Sequence, residues 1–156
     1  MLTSTNAYSA FEYLWGAEGV GFNYGHVYRV DGTLKQDKSS ETGYSGENAK
    51  LSSVEETNRI PLIKGHGFDV HLLLFKLPPD TKSIDLSISH PPMTLPSGKV
   101  FKTISKSIST HNARGFPEIS YAYLMDEDYE MVEGDWSLSF SREGTELFRI
   151  TFTMYK

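Results

Sequence analysis

The stretch Asp135-Trp136-Ser137-Leu138-Ser139-Phe140-Ser141 decides the fold of this chain. Its large apolar side chains, Trp136, Leu138 and Phe140, occupy every second position, and only serine and aspartate lie between them. Because successive side chains of a strand point to opposite faces, this alternation predicts a β-strand with one buried face. We interpret Trp136 as a core residue of that face.

The residues after this strand repeat the pattern. Glu143-Gly144 predicts a two-residue turn, in which glycine tolerates a positive φ. Beyond it, large apolar residues again alternate with polar ones, at Phe148, Ile150, Phe152 and Met154. The two runs therefore predict a C-terminal β-hairpin.

Several upstream runs predict further strands by the same criterion. They are Phe68 to Leu74, Ile84 to Ile88, and Ile119 to Tyr123. The second is predicted to end at His90-Pro91-Pro92, because proline has no N–H to donate to a ladder. The segment Lys99 to Thr110 could be a helix or a strand by spacing, and its Ser, Thr and β-branched content favours an edge strand protected from pairing by lysines.

The first 50 residues show a different composition, rich in glycine and aromatic residues. Here His26 to Val30 predicts one short strand, and Lys35 to Lys50 predicts a polar surface loop. With no convincing helix or linker, the pattern of seven or eight short strands predicts an all-β fold. We expect a single antiparallel β-sandwich, immunoglobulin-like, that spans residues 1–156 as one domain.

Composition excludes several classes of function. The 156 residues include no cysteine, which removes thiol nucleophiles, cysteine-based zinc sites and iron–sulfur clusters. The 15 basic and 20 acidic residues give a net charge of −5, which argues against nucleic-acid binding. No cofactor is predicted.

The chain also lacks signals for membranes and export. Met1 to Gly16 has neither a basic start nor an unbroken apolar run, so no secretory signal is expected. No stretch approaches the roughly 18 apolar residues of a membrane-spanning helix. We expect a soluble protein of the cytoplasm, or of the periplasm if a leader has been removed.

Four features together resemble an uncharacterised bacterial family, domain of unknown function 3859. They are Ile60-Pro61, Gly65-His66-Gly67-Phe68, the segment His90 to Gly98 with its His-Pro-Pro-Met start, and the Gly134-Asp135-Trp136 hairpin. The resemblance covers roughly residues 55–156 and is least evident in the N-terminal stretch. It implies an immunoglobulin-type sandwich and supplies no activity, cofactor or catalytic residue.

Aromatic residues suggest a binding face near the N-terminus. Eight of the 20 aromatic residues lie within the first 44 positions. Tyr13 and Trp15 share strand parity with Phe11, and Tyr24 follows nearby. If exposed together, such rings would stack on a sugar or contact a protein. The alternative is that they pack across an open sheet.

The histidines offer one further ligand-binding candidate. His66 and His71 are five residues apart, so on a strand they point to opposite faces and do not share an ion. His90 ends a predicted strand at a Pro-Pro corner, where its ring could contact a ligand. The alternative is a structural hydrogen bond from the ring to a loop carbonyl.

The acidic loop that starts at Asp126 is a candidate calcium site. Asp126, Asp128 and Glu130 supply the hard oxygen ligands that calcium prefers. The EF-hand pattern fails, because its sixth position is Met131 instead of glycine. The alternative is a solvated acidic loop.

These features favour a non-enzymatic binding or protein-interaction domain, since no catalytic signature is complete and no catalytic residue is predicted. The partner would be a protein or a small ligand, and self-association through sheet edges or charged patches is a further expectation. One alternative is a carbohydrate-active hydrolase that uses the carboxylates of residues 126–130 with assistance from His90. A second is a calcium-stabilised adhesive module.

Overall fold

A computed structural model describes the backbone of residues 2–5, 12–15, 19–36 and 44–156, and the side chains of residues 19–30 and 50–156. Twelve strands lie in the described residues. They are β1 (Leu2–Thr5), β2 (Glu12–Trp15), β3 (Val20–Gln36), β4 (Tyr44–Glu55), β5 (Arg59–Pro61), β6 (His66–Leu74), β7 (Ser83–Thr94), β8 (Val100–Ser109), β9 (His111–Ala113), β10 (Phe116–Met125), β11 (Gly134–Arg142) and β12 (Thr145–Tyr155). A short 3-10 turn, Asp128–Glu130, lies between β10 and β11.

The strands form two sheets. Sheet A has the order β1-β2-β3-β6-β10-β9, with β4 also paired to β3, and sheet B has the order β5-β12-β11-β7-β8. All pairs are antiparallel except β5 with β12. This arrangement confirms the predicted all-β sandwich. No helical segment within the described ranges has the length and apolar character needed to cross a membrane.

The inner faces of the sheets meet in an aromatic core. Phe68 of sheet A stacks on Phe152 of sheet B with ring centroids 4.3 Å apart, and it meets Trp136 edge to face at 5.7 Å. The side chains of Trp136 and Leu138 are fully buried, and Phe140 is 1% exposed. The alternating stretch that predicted the fold therefore supplies the centre of the core, and the prediction for Trp136 is confirmed.

The C-terminal hairpin is also confirmed. β11 pairs with β12 from Gly134↔Met154 to Arg142↔Thr145, with one register shift after Phe140. The two turn residues Glu143 and Gly144 have φ angles of 51° and 80°. Positive φ at both central residues is what a tight turn between right-twisted strands requires.

The predicted end of β7 at the prolines is wrong. The strand continues to Thr94, and its pairing with β8 shifts register between Ser89 and Met93. Pro91 and Pro92 lie in this irregular stretch, where the ladder does not need their missing N–H groups. Met93 resumes pairing with Phe101 and is fully buried.

The N-terminal predictions also need correction. The short strand predicted at 26–30 is part of β3, which has 17 residues. Residues 44–50, predicted as part of a polar loop, belong to β4, which pairs with β3 from His26↔Glu55 to Gln36↔Tyr44. β6 pairs with β3 only from Val20 to Tyr28. Beyond Tyr28 the hairpin therefore has no third strand in the described residues.

The segment with ambiguous spacing is an edge strand, as predicted. β8 ends the order of sheet B and pairs only with β7 among the described strands. Lys106 lies opposite the buried Leu86, and its ammonium group lies over the ring of Tyr121 in sheet A, 5.8 Å from the centroid. A charged side chain directed inward at an edge discourages a further strand from adding there.

Candidate functional site

The β3–β4 hairpin is tied to the sandwich by Arg29. Its backbone N–H donates to the carbonyl of Gly65 at 2.8 Å. Its guanidinium donates two hydrogen bonds to the carboxylate of Asp126, at 2.6 and 2.7 Å. The two side chains are only 17% and 12% exposed. Paired donors on a planar carboxylate fix orientation as well as charge, so this pair locks the loop after β10 onto the base of the hairpin.

Two histidines meet beside this anchor. His26 Nε2 and His66 Nδ1 are 2.8 Å apart, and the Tyr28 ring stacks on His66 at 5.5 Å. Burial, and then the neighbouring His66, lower the pKa of His26 below its ordinary value. One nitrogen must donate and the other must accept, because two protonated rings would direct two N–H groups at each other. The contact therefore requires one of the two facing nitrogens to be unprotonated.

Glu130 closes the acidic loop from inside. Its carboxylate accepts hydrogen bonds from the Tyr123 hydroxyl at 2.5 Å and from the backbone N–H groups of Asp126 and Glu127 at 2.7 and 2.8 Å. Burial raises the pKa of Glu130, although these hydrogen bonds act in the opposite direction. Burial also raises the pKa of Tyr123, and the Glu130 carboxylate adds to that effect. Glu130 therefore holds the 3-10 turn in place.

The three predicted calcium ligands are not brought together. Asp126 is bound to Arg29, and Glu130 is buried and bound to Tyr123 and the loop backbone. The side chain of Asp128 is 91% exposed and pairs with Lys64 at 2.7 Å. Within the described ranges, no group of three or more His, Asp or Glu side chains could hold a metal ion.

His90 is a structural residue of the core. Its ring stacks on Trp136 at 4.7 Å and meets the edge of Phe101 at 5.0 Å. Nδ1 donates to the carbonyl of Pro91 at 2.7 Å, which is the structural alternative considered for this residue. Burial lowers the pKa of His90. At 4% exposure the imidazole cannot reach a substrate, so the hydrolase alternative loses its assisting histidine.

The predicted aromatic face is only partly described. Tyr24 is half-buried and packs against the core, with Phe22 at 6.1 Å and Phe152 at 6.2 Å. Burial raises the pKa of its hydroxyl. Tyr24 therefore faces the interior instead of an exposed ligand row. Tyr13 and Trp15 lie in β2, and their side chains are outside the described residues.

A shallow groove lies along strands β7 and β8 of sheet B. Its volume is about 330 Å³, and it is lined by Asp85, Leu86, Ser87, Ser105, Lys106, Ser107 and Ser141. Hydroxyl groups dominate the lining. None of the residues predicted as ligand or metal sites contributes to it, so it gives those predictions no support.

The surface that sequence reasoning missed is apolar. Six large apolar side chains are exposed in the part of the chain with described side chains, and five of them surround the base of the β3–β4 hairpin. We call these five the hairpin-base patch: Tyr28, Val30, Leu51, Val54 and Ile63. Because Tyr28 pairs with Ser52 and Arg29 pairs with Leu51, Tyr28 and Leu51 lie on opposite faces of the hairpin. Their exposures range from 37% to 61%. No periodic signal marks them, because they come from two strands and a loop that meet only in the fold.

Comparisons with known proteins support the fold and give no family. No protein-family model matches the chain, and no curated protein matches it. Among solved structures, an immunoglobulin-like protein from Pseudomonas aeruginosa is similar, with 20% sequence identity, 90% of this chain and 100% of that chain covered, and a TM-score of 0.56. This similarity confirms the predicted immunoglobulin-like sandwich.

Proposed function

We propose that this immunoglobulin-like domain is a non-enzymatic protein-interaction domain and that the hairpin-base patch is its contact surface. The observation that carries the proposal is the concentration of exposed apolar side chains there. Burying apolar surface is favourable by roughly 25 cal/mol per Å², and large exposed apolar patches mark interaction sites on soluble proteins. Resemblance to domain of unknown function 3859 remains a prediction based on the motifs around His90 and Trp136.

The backbone at this site also suits a protein partner. β4 pairs only with β3 among the described strands, so none of these strands lies along its other edge. A two-stranded hairpin is marginal alone, and an added strand or a packed surface stabilises it. The proposed partner is therefore a protein that covers the apolar side chains and contacts the edge of β4 along which no described strand lies.

The anchor makes the surface ready to bind. Arg29 holds the hairpin base against Gly65 and Asp126, so the patch does not have to be ordered at the moment of binding. A preformed surface loses less conformational entropy on association. Glu55 and Glu56, both exposed, follow Val54 and give this side of the patch an acidic rim. We expect a partner with an apolar centre and basic residues at its rim.

The test is a quantitative pull-down from a lysate of the organism that encodes the protein. The bait is compared with the double variant Val54→Ser, Ile63→Ser, which makes the patch polar. The matched control is Val100→Ser, because Val100 is the sixth exposed apolar residue, at 59%, and lies on β8. All three proteins should show the same circular dichroism and melting temperature before use.

We expect at least one protein to be captured by the parent and by Val100→Ser and to be reduced at least about tenfold with the patch variant, the scale of a lost binding hot spot. Equal capture by all three proteins would show that the patch is not the contact surface. Failure of the parent to capture any protein would overturn the proposed function.

A further inference from the structure

Three residues on the outer face of sheet A form a hydrogen-bonded chain that the proposed function does not use. Asp69 and His71 are two positions apart on β6, and Ser120 on β10 lies directly opposite His71 in the register. Asp69 Oδ2 is 3.0 Å from His71 Nε2, and His71 Nδ1 is 2.8 Å from Ser120 Oγ. An acid, an imidazole and a serine are therefore joined in that order.

The chemistry of these groups fixes the direction of the hydrogen bonds when the imidazole is neutral. The Asp69 carboxylate can only accept, so His71 Nε2 carries the proton and donates it. His71 Nδ1 then has a lone pair, and the Ser120 hydroxyl donates to it. A base that is oriented by a carboxylate and bound to a hydroxyl is the arrangement that activates a serine nucleophile.

The positions of the three residues combine a fixed base with an accessible nucleophile. The side chains of His71 and Asp69 are only 17% and 13% exposed, which restricts their rotation. Ser120 is exposed, and β9 pairs with β10 only as far as Glu118. The hydroxyl therefore lies just beyond the last pair of this ladder, where a small reagent can approach it.

We propose that Ser120 is a nucleophilic modification site that accepts an acyl group from activated acyl donors such as aryl esters or thioesters. The Ser120 proton passes to His71 Nδ1 while Oγ bonds to the carbonyl carbon of the donor. The carbon–oxygen or carbon–sulfur bond to the leaving group then breaks, and the leaving group takes the proton from His71. The products are an ester of Ser120 and a free phenol or thiol.

The experiment treats the whole protein with p-nitrophenyl acetate at pH 8 and measures acetylation of each serine by peptide mass spectrometry over time. Ser107 provides the internal control, because it is an exposed strand serine whose register partner is Asp85 instead of a histidine. We expect Ser120 to be acetylated at least about tenfold faster than Ser107, a conservative figure for assistance by a positioned base.

The variant His71→Gln separates base assistance from simple exposure. It should lower the rate at Ser120 to that of Ser107 and leave Ser107 itself unchanged. If Ser120 and Ser107 react equally fast in the parent protein, the proposal is wrong. This comparison uses the parent protein alone, so it does not depend on the folding of a variant. An Ser120 rate that His71→Gln leaves unchanged in a folded variant would overturn the role given to His71.

Discussion

Two strands that each pair with one other described strand, β8 in sheet B and β4 in sheet A, expose very different surfaces. β8 has lysines at positions 102 and 106, and the Lys106 side chain crosses inward to Tyr121. Its one exposed large apolar residue, among the side chains described, is Val100. The described end of β4 exposes Leu51 and Val54, close to the other members of the hairpin-base patch.

This difference separates a protected edge from an available one. Inward charges and lysines on an edge strand prevent unwanted pairing. Apolar side chains that stay exposed to water do not stabilise a monomer, because the hydrophobic effect acts only when they are buried. The exposed side chains beside β4 therefore contrast with the charged side chains that protect β8. Under the proposed function the hairpin base is kept for a partner, and the predictions below test each side of this comparison.

The largest effect concerns the anchor of the hairpin side. Asp126→Ala removes the partner of a guanidinium that is only 17% exposed. Breaking a well-buried pair costs about 3–5 kcal/mol, so for this partly accessible pair we expect a loss of about 2–3 kcal/mol in the free energy of unfolding. Urea denaturation provides the measurement.

Asp128→Ala is the matched control for the anchor. Asp128 and Lys64 are 91% and 57% exposed, so their ion pair should contribute far less to the free energy of unfolding than the Arg29–Asp126 pair. Equal losses for the two variants would mean that the Arg29–Asp126 pair does not anchor the hairpin.

We expect pH to have a smaller effect on the free energy of unfolding. This effect involves one histidine on the hairpin side and one beside β8. Burial lowers the pKa of His26, on the hairpin side, and of His90, beside Phe101 of β8. As pH falls, these histidines therefore take up protons at a higher pH in the unfolded state than in the folded state. Their contribution to the free energy of unfolding is complete above about pH 6.5 and is lost as pH falls through the folded-state pKa values.

Glu130 contributes with the opposite sign. Its raised pKa means that the folded state favours the protonated carboxyl group more than the unfolded state does. The contribution of Glu130 to the free energy of unfolding therefore declines as pH rises from about 4.5 through the folded-state value. The variants His26→Gln and His90→Gln each remove one of these histidines. In each variant the free energy of unfolding should fall less between pH 7 and pH 5 than in the parent protein, as measured by urea denaturation at each pH. A parent-like slope in both variants would contradict the assignment.

The next prediction removes the protection of β8. Lys106→Val replaces the inward charge opposite Leu86 with an apolar, β-branched side chain that favours strand pairing. We expect stability to change by less than about 1 kcal/mol and a new self-associated species to form in sedimentation velocity. Lys99→Val, in the turn before β8, is the control that should leave the distribution unchanged. An unchanged distribution for Lys106→Val would show that the lysine does not guard this edge.

The smallest effect is expected from calcium. Since Asp126 is committed to Arg29 and Glu130 to Tyr123, the acidic loop lacks a free ligand set. Melting temperatures in calcium and in chelator should differ by less than about 1 °C. A clear rise with calcium would mean that the ion competes with Arg29 for Asp126 and that the anchor is a metal-controlled contact.

Sequence patterns predicted the core strands of both sheets well and the β3–β4 hairpin of sheet A poorly. Trp136, Leu138 and Phe140 alternate because one face of β11 is buried and the other faces water. Residues 44–50 show no alternation of apolar and polar residues and include Gly46, so their sequence predicts a loop although they lie in β4. The sequence did not predict the continuation of β7 past His90, because prolines are typical both of a strand end and of an irregular position within a paired strand.

The candidate site could not be predicted from the sequence for a different reason. Arg29 and Asp126 are 97 positions apart, and His26 and His66 are 40 apart. Their contacts follow from the β3–β6 and β6–β10 registers, which local periodicity does not specify. The sequence did offer the residue types: the acidic loop was a candidate cation site, with a solvated loop as the alternative, and in the fold its first carboxylate binds the guanidinium of Arg29.

The most direct test of the hairpin base as the contact surface is site-specific photo-crosslinking. p-Benzoylphenylalanine is incorporated at Val54 in one protein and at Val100 in another, and both are irradiated in cells of the organism that encodes the chain. Both positions are similarly exposed, at 50% and 59%. We predict a discrete protein adduct from position 54 and none from position 100. An adduct from position 100 alone, or equal adducts from both positions, would contradict the assignment of the contact surface.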